Sequence, residues 1–285
     1  MMMLRRLLPA FAVVLLASFL PAGVASAASG RYVALGDSAA AGPLIPNPDL
    51  SFLGCIRSTN NYPKLVARQL GLSIADVSCS GADTVDMTNP QETDLGTAPP
   101  QFDVLTPDTS VVTLQIGGND AGLTGLAESC LNLLPQPFGT SCKDENTAGG
   151  RDVYGERVAA VGPRVSAVLD GIHARSPSAR VFVVGYTFYI RPGGCYPRVQ
   201  VWSRDATYVQ AKVDQLNQVL ATAAAAHGAT YVDIRTPGIG HDVCTPGSVR
   251  WVEPFIPENV AAPLHPNARG MQGMAQVVGS AIAAG

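Results

Sequence analysis

Arg31-Tyr32-Val33-Ala34-Leu35-Gly36-Asp37-Ser38-Ala39-Ala40-Ala41-Gly42 is the stretch on which the reading of this chain turns. Residues 32–35 form an apolar run with the Val and Tyr content of a buried strand. Gly36 ends the run and small residues follow. In an open α/β sheet, ligands sit outside the carboxyl ends of the strands. Ser38 therefore stands where a nucleophile would be of use. If a helical turn begins here, its amide points into the same space. The plainer reading is that Asp37 or Ser38 only caps a helix. The rest of the chain has to decide between the two.

Residues 72–77 read as a second strand, ending in Ser78-Cys79-Ser80-Gly81, and residues 110–116 as a third, ending in Gly117-Gly118-Asn119-Asp120. Residues 180–184 and 230–234 supply two more. Helical periodicity separates them. Residues 60–70 are stopped by Gly71, and residues 153–175 carry Val158, Val161, Val165, Val168, Leu169 and Ile172 on one face. Residues 204–227 are Ala-rich and stopped by Gly228. A last helix starts near Pro266, a residue suited to a first helical position, and runs toward Ile282. Strands alternating with helices predict a parallel sheet with helices on both faces. Residues 91–100 are polar and contain proline, so they read as a surface connection. Residues 129–150 have no sustained period and read as an excursion held by a disulfide, a candidate substrate lid. No internal repeat and no linker to a second domain is visible.

Residues 1–27 read as a secretory signal peptide. Arg5 and Arg6 make the charged region, residues 7–20 the apolar core, and Ala25-Ser26-Ala27 the cleavage site. The core is shorter than the ~20 residues needed to span a bilayer; a retained anchor is the plainer alternative. The expectation is a secreted, extracellular single domain of residues 28–285, a monomer without stable membrane insertion. Secretion makes disulfides the default for the six cysteines. Sequence alone leaves their pairing open. Sequence order suggests Cys55–Cys79, Cys130–Cys142 and Cys195–Cys244, each closing a loop and each worth about 2–4 kcal/mol. The spacings are unlike Cys-x-x-Cys metal pairs. Against 19 Lys and Arg stand 22 Asp and Glu, and no basic patch is present. Nucleic acid and anionic membrane surfaces are poor electrostatic partners for such a chain.

Gly36-Asp37-Ser38, Ser80-Gly81, Gly117-Gly118-Asn119-Asp120 and Leu264-His265-Pro266-Asn267 occur in this order along the α/β pattern. Together they resemble the SGNH (GDSL-type) hydrolase family. The signal, the cysteines and the size look most like its secreted actinobacterial lipases and esterases. The resemblance implies a three-layer α/β/α fold with a flavodoxin-like, parallel five-stranded sheet, and a serine esterase or lipase activity. The Gly-x-Ser-x-Gly elbow of the α/β-hydrolases is absent, because Ala40 holds its second glycine position.

By the same resemblance Ser38 attacks an ester carbonyl to form an acyl-enzyme. His265 takes the serine proton and later protonates the leaving alcohol. The Ser38 amide, the Gly81 amide and the Asn119 side chain form the oxyanion hole, where one donor is typically worth about 2.7–4 kcal/mol. Each role has a plainer counterpart: Asn119 as a turn residue, Gly81 as a backbone requirement. Asp37 reads as structural, and Asp120 as a cap for the segment after it. Three other histidines compete with His265. His173 lies near a solvated helix end and His227 at a helix C-terminus, where a cation is favoured anyway. His241, in a disulfide-tied loop, is the rival. One departure stands out. The family carries an Asp three residues before the histidine, and here Ala262 occupies that place. The carbonyl of Ala262 or Pro263 is then the simplest partner for the ring, with Asp242, Glu253 and Glu258 the nearest acids.

No metal or organic cofactor is implied, and the expected substrate is a small-molecule or lipid acyl ester. A phospholipase A or acyltransferase would use the same serine, and a carbohydrate deacetylase is more distant. A catalytically silent secreted binding module is the alternative from another class; the presence of Ser38, Asn119 and His265 argues against it. Phe52, Phe102, Leu123, Leu126, Phe138, Phe188 and Tyr189 are candidates for an acyl pocket, or for ordinary packing.

Overall fold

Strand β1 (Arg31–Gly36) is buried from Tyr32 onward in the computed structural model, which describes residues 30–284. The expected signal segment lies outside the described residues. From Tyr32 onward β1 is apolar, because parallel strands are covered on both faces. Val33 and Leu35 enter one core, Tyr32 and Ala34 the other.

After β2 (Ser73–Asp76), the strands β3 (Gln91–Thr93) and β4 (Gly96–Ala98) form a small antiparallel pair. The sequence reads this stretch only as a surface connection, and the pair lies within it. The pair is closed by polar bonds, Thr93 Oγ1 to the Gly96 carbonyl at 2.6 Å and Thr97 Oγ1 to Glu92 at 2.9 Å. It therefore shows no apolar alternation. β5 (Thr109–Gln115), β6 (Arg180–Val184) and β7 (Thr230–Val232) complete an all-parallel sheet in the order β2-β1-β5-β6-β7. This is the expected flavodoxin-like order. Its winding reverses between β1 and β5, where a crevice opens at the strand ends.

The helices are α1 (Ser38–Ala41), α2 (Tyr62–Leu70), α3 (Leu123–Ser129), α4 (Cys142–Asn146), α5 (Val153–Arg175), α6 (Ser203–Ala226) and α7 (Ala268–Ala284). α5 and α6 cover one face, packing Val158, Leu169, Leu216 and Leu220 on Val112 and Leu114. α2 and α7 cover the other with Tyr62, Val66, Met271 and Val278. Each fully buried Leu or Val contributes roughly 1.5–3 kcal/mol. α7 starts two residues later than the Pro266 expectation. Pro266 bridges to Val252, and Asn267 caps the helix by accepting from the Gly270 amide at 3.0 Å. The cysteines pair as Cys55–Cys79, Cys130–Cys142 and Cys195–Cys244.

Candidate active site

The Ser38 turn is built from backbone. Gly36 has φ 152°, and a Cβ there would lie 2.5 Å from the Gln115 carbonyl. Only glycine lets β1 end this close to β5. Gln101 clamps the turn, accepting from the Gly36 amide at 2.8 Å and donating to its carbonyl at 2.9 Å. Asp37 Oδ1 accepts from the Ala39 amide at 2.8 Å and so caps α1. Asp37 thus caps the helix, and Ser38 lines a cavity. The Ser38 amide has no acceptor among the described residues. Burial pushes the Asp37 carboxyl up to about 7, against the lowering effect of its bond from Tyr186.

His265 reaches this turn from the far end of the chain. Its Nε2 lies 2.7 Å from Ser38 Oγ, and its Nδ1 lies 2.7 Å from the Pro263 carbonyl. A carbonyl only accepts, so Nδ1 holds the proton and Nε2 is free to accept from the serine. Burial lowers the pKa of His265, partly opposed by the bond to Pro263. None of the three nearby acids bonds the ring. Asp242 accepts from Arg191 at 2.9 Å and from the Cys244 amide at 2.8 Å. Glu258 accepts from Arg250 at 3.1 Å. Glu253, fully buried, accepts from the side chains of Asn267 and Asn259 and from the amides of Glu258 and Asn259. It acts on the loop through its backbone, with Glu253 N on the His265 carbonyl and Leu264 N on the Glu253 carbonyl, both 3.0 Å. Leu264 is held at φ 62°, a conformation costly for a side chain of its size.

Asn119 comes to the same cavity from the end of β5. Gly117 permits its turn at φ 113°; a Cβ there would lie 2.8 Å from Val161. Asn119 Nδ2 donates to the Ala82 carbonyl at 2.8 Å, which leaves its second N–H available. Gly81 lies with Ser80, Asp83 and Gln91 at a second depression. Its amide has no acceptor among the described residues. Asp120 does not cap its own segment. It accepts from the Thr84 amide at 3.0 Å and from Arg164 at 3.2 Å, because the turn at Thr84 presents a free amide from another strand end.

The cavity is walled by Leu123, Thr124 and Ala127, by Tyr189 and Ile190, and by Val199, Val201, Val209, Val213, Val243 and Phe255. Of the acyl-pocket candidates, Leu123 and Tyr189 line it. Phe102, Leu126 and Phe188 are buried elsewhere, Phe52 packs on a core, and Phe138 is exposed. Residues 129–150 contribute nothing to the wall. Trp202 Nε1 on the Leu134 carbonyl at 3.0 Å and Ser141 on Asp205 at 2.6 Å anchor that excursion. His241 stacks on Trp251 at 4.8 Å, away from Ser38. Sequence reading misses Gln101 and Tyr186. Tyr186 follows the end of β6, so the strand-end rule that found Ser38 and Asn119 applies to it as well.

Residues 34–272 match the model of the GDSL-like lipase/acylhydrolase family. The chain is 37% identical over 252 residues to Lipase 2 of Streptomyces coelicolor, covering 86% of this chain and 83% of that one. The solved phospholipase A1 of Streptomyces albidoflavus matches with a TM-score of 0.74 at 30% identity, covering 89% of this chain and 99% of that one. The solved extracellular lipase of Streptomyces rimosus matches at 0.71 and 29% identity, covering 88% and 99%. No helix among the described residues is long and apolar enough to cross a membrane. The chain belongs to the GDSL-like lipase/acylhydrolase family and is a carboxylic-ester hydrolase.

Proposed function

We propose that the protein is a secreted serine lipase or esterase that works through an acyl-enzyme on Ser38. The observation that carries this reading is the 2.7 Å approach of His265 Nε2 to Ser38 Oγ at the mouth of an apolar cavity. Ser38 Oγ attacks the ester carbonyl as its proton passes to Nε2. The Pro263 carbonyl keeps the ring in the required tautomer, but it stabilises the imidazolium less than a carboxylate would. The developing oxyanion is met by the Ser38 amide, the second N–H of Asn119 and the Gly81 amide. Collapse expels the alcohol, which takes the proton back from His265. Water, activated by the same base, then releases the acid and restores Ser38. The acyl chain lies along the valine-lined wall. Secretion is supported by the signal-like residues 1–27 and by three disulfides.

A second reading, hydrolysis of phospholipid acyl esters, is favoured by the likeness to the phospholipase A1 of Streptomyces albidoflavus. A serine-directed organophosphonate should label Ser38 and stop hydrolysis of aryl esters. Labelling elsewhere, or full activity in Ser38→Ala, would rule out the mechanism. A panel of short and long aryl esters, triacylglycerols and phosphatidylcholine then separates the two substrate readings. A folded protein inert toward every ester would leave the silent binding module.

A further inference from the structure

We propose that Tyr186 is a positioning residue that sets the oxyanion site by tying the nucleophile turn to the Asn119 turn. The inference rests on the reading of Asn119 as an oxyanion donor. Tyr186 is 4% exposed, and its backbone is held on both sides by Asn217 of α6. The Tyr186 amide donates to Asn217 Oδ1 at 2.7 Å, and Asn217 Nδ2 donates to the Tyr186 carbonyl at 2.8 Å. Its hydroxyl donates to Asp37 Oδ2 and accepts from the Gly118 amide at 2.9 Å. Asp37 immediately precedes Ser38, and Gly118 immediately precedes Asn119. One phenol oxygen therefore joins the residue before the nucleophile to the residue before the amide donor.

The direction of these bonds follows from the groups. An amide N–H only donates, so the phenol oxygen accepts from Gly118 and its own proton is left for Asp37 Oδ2. The ring supports the same turn from the side, since a Cβ at Gly118 would meet it at 3.1–3.2 Å. The Asp37 amide donates to the Gln115 carbonyl, and residues 36–42 and 116–122 share no direct hydrogen bond among the described residues. The spacing between the serine amide and the Asn119 side chain is then set by a residue from a third strand end. A misplacement of about 1 Å in such an arrangement is enough to slow turnover markedly.

The test is a double-mutant cycle on aryl-ester hydrolysis, with thermal melts to establish folding. Asn119→Ala alone should lower kcat by about 10²–10³. Tyr186→Phe keeps the ring and loses both hydroxyl bonds, and should lower kcat about tenfold with KM changed less than about twofold. In the Asn119→Ala background the same change should cost less than about twofold, because the donor that it aims is gone. Asp37→Asn still caps α1 through Oδ1 but places an NH₂ where the phenol proton was accepted. It should reproduce the Tyr186→Phe effect, and it carries the cycle if Tyr186→Phe does not fold. Equal factors in the two backgrounds, or a wild-type kcat in Tyr186→Phe, overturn the proposal while leaving the role of Asn119 intact. A wild-type kcat in Asn119→Ala overturns both.

Discussion

The turn that carries Ser38 and the loop that carries His265 meet at 2.7 Å, yet they are held by opposite means. The Ser38 turn is a short backbone device. A glycine at Gly36, a cap at Asp37 and a left-handed stop at Gly42 come within a few residues of the serine, with Gln101 clamping from outside. The His265 loop lies in the irregular segment between β7 and α7 and is held by side chains that carry charge. Arg250, 1% exposed, donates to the Thr245 carbonyl and to Glu258. Glu253 gathers two side-chain amides and two backbone amides. On the proposed mechanism, the difference follows from what each residue must present. A nucleophile works with its own amide as well as its hydroxyl, so its backbone has to be right. A base needs only its ring in reach, and a buried polar network can hold the ring on an otherwise irregular loop.

The comparison can be broken most severely at the point of contact. Ser38→Ala and His265→Ala should each remove on the order of 10⁶ in kcat if they act as a unit, and the double variant should be no slower than either. Measured kcat values that multiply in the double variant would mean that the two residues act separately.

A subtler break is at Glu253. Glu253→Gln replaces an acceptor-only group with one that brings two donors into a site already full of donors. We expect a stability loss of about 1–3 kcal/mol per orphaned donor, read by denaturant unfolding. The kcat of the folded fraction should stay within about tenfold, because no carboxylate touches the ring. A loss near 10⁴ in a folded Glu253→Gln, Asp242→Asn or Glu258→Gln would identify a displaced triad acid instead.

The smallest effect sharpens the comparison through pH. Neutral imidazole is the active form, so kcat/KM rises as pH rises through the His265 pKa. Burial lowers that pKa, so the acid limb should lie below the ordinary histidine value of about 6.5. A limb above that value in a pH–rate profile would indicate an anionic partner for the ring, and the carbonyl-only arrangement would be wrong.

Much of this molecule is legible where the signal is local. The small-residue turns at Ser38 and Asn119 announce themselves because a strand that stops at glycine leaves a recognisable pattern. The helix at Val153–Arg175 does so because its apolar period is unbroken. The β3–β4 pair is not legible, because its closing bonds are polar and its residues largely exposed. The cavity wall is half-legible. Leu123 and Tyr189 are two of seven residues that the sequence offers for either an acyl pocket or ordinary packing, whereas Val199, Val201, Val209, Val213 and Val243 look like any buried valine.

Composition and periodicity by themselves determined the α/β alternation, and the family resemblance carried by the motifs implied candidate roles for Ser38, Asn119 and His265. Each of these depends on a few consecutive residues. Only the tertiary structure decided that the Pro263 carbonyl, and no acid, faces the His265 ring. Only it placed Tyr186 between Asp37 and Gly118, residues 149 and 68 positions away. Pro263 lies two residues from His265, but only the fold draws Asp242, Glu253 and Glu258 to other partners and leaves the ring to that carbonyl. Those relations exist only once β1, β5 and β6 lie side by side and bring their ends to one crevice, and no local pattern in the chain encodes that approach.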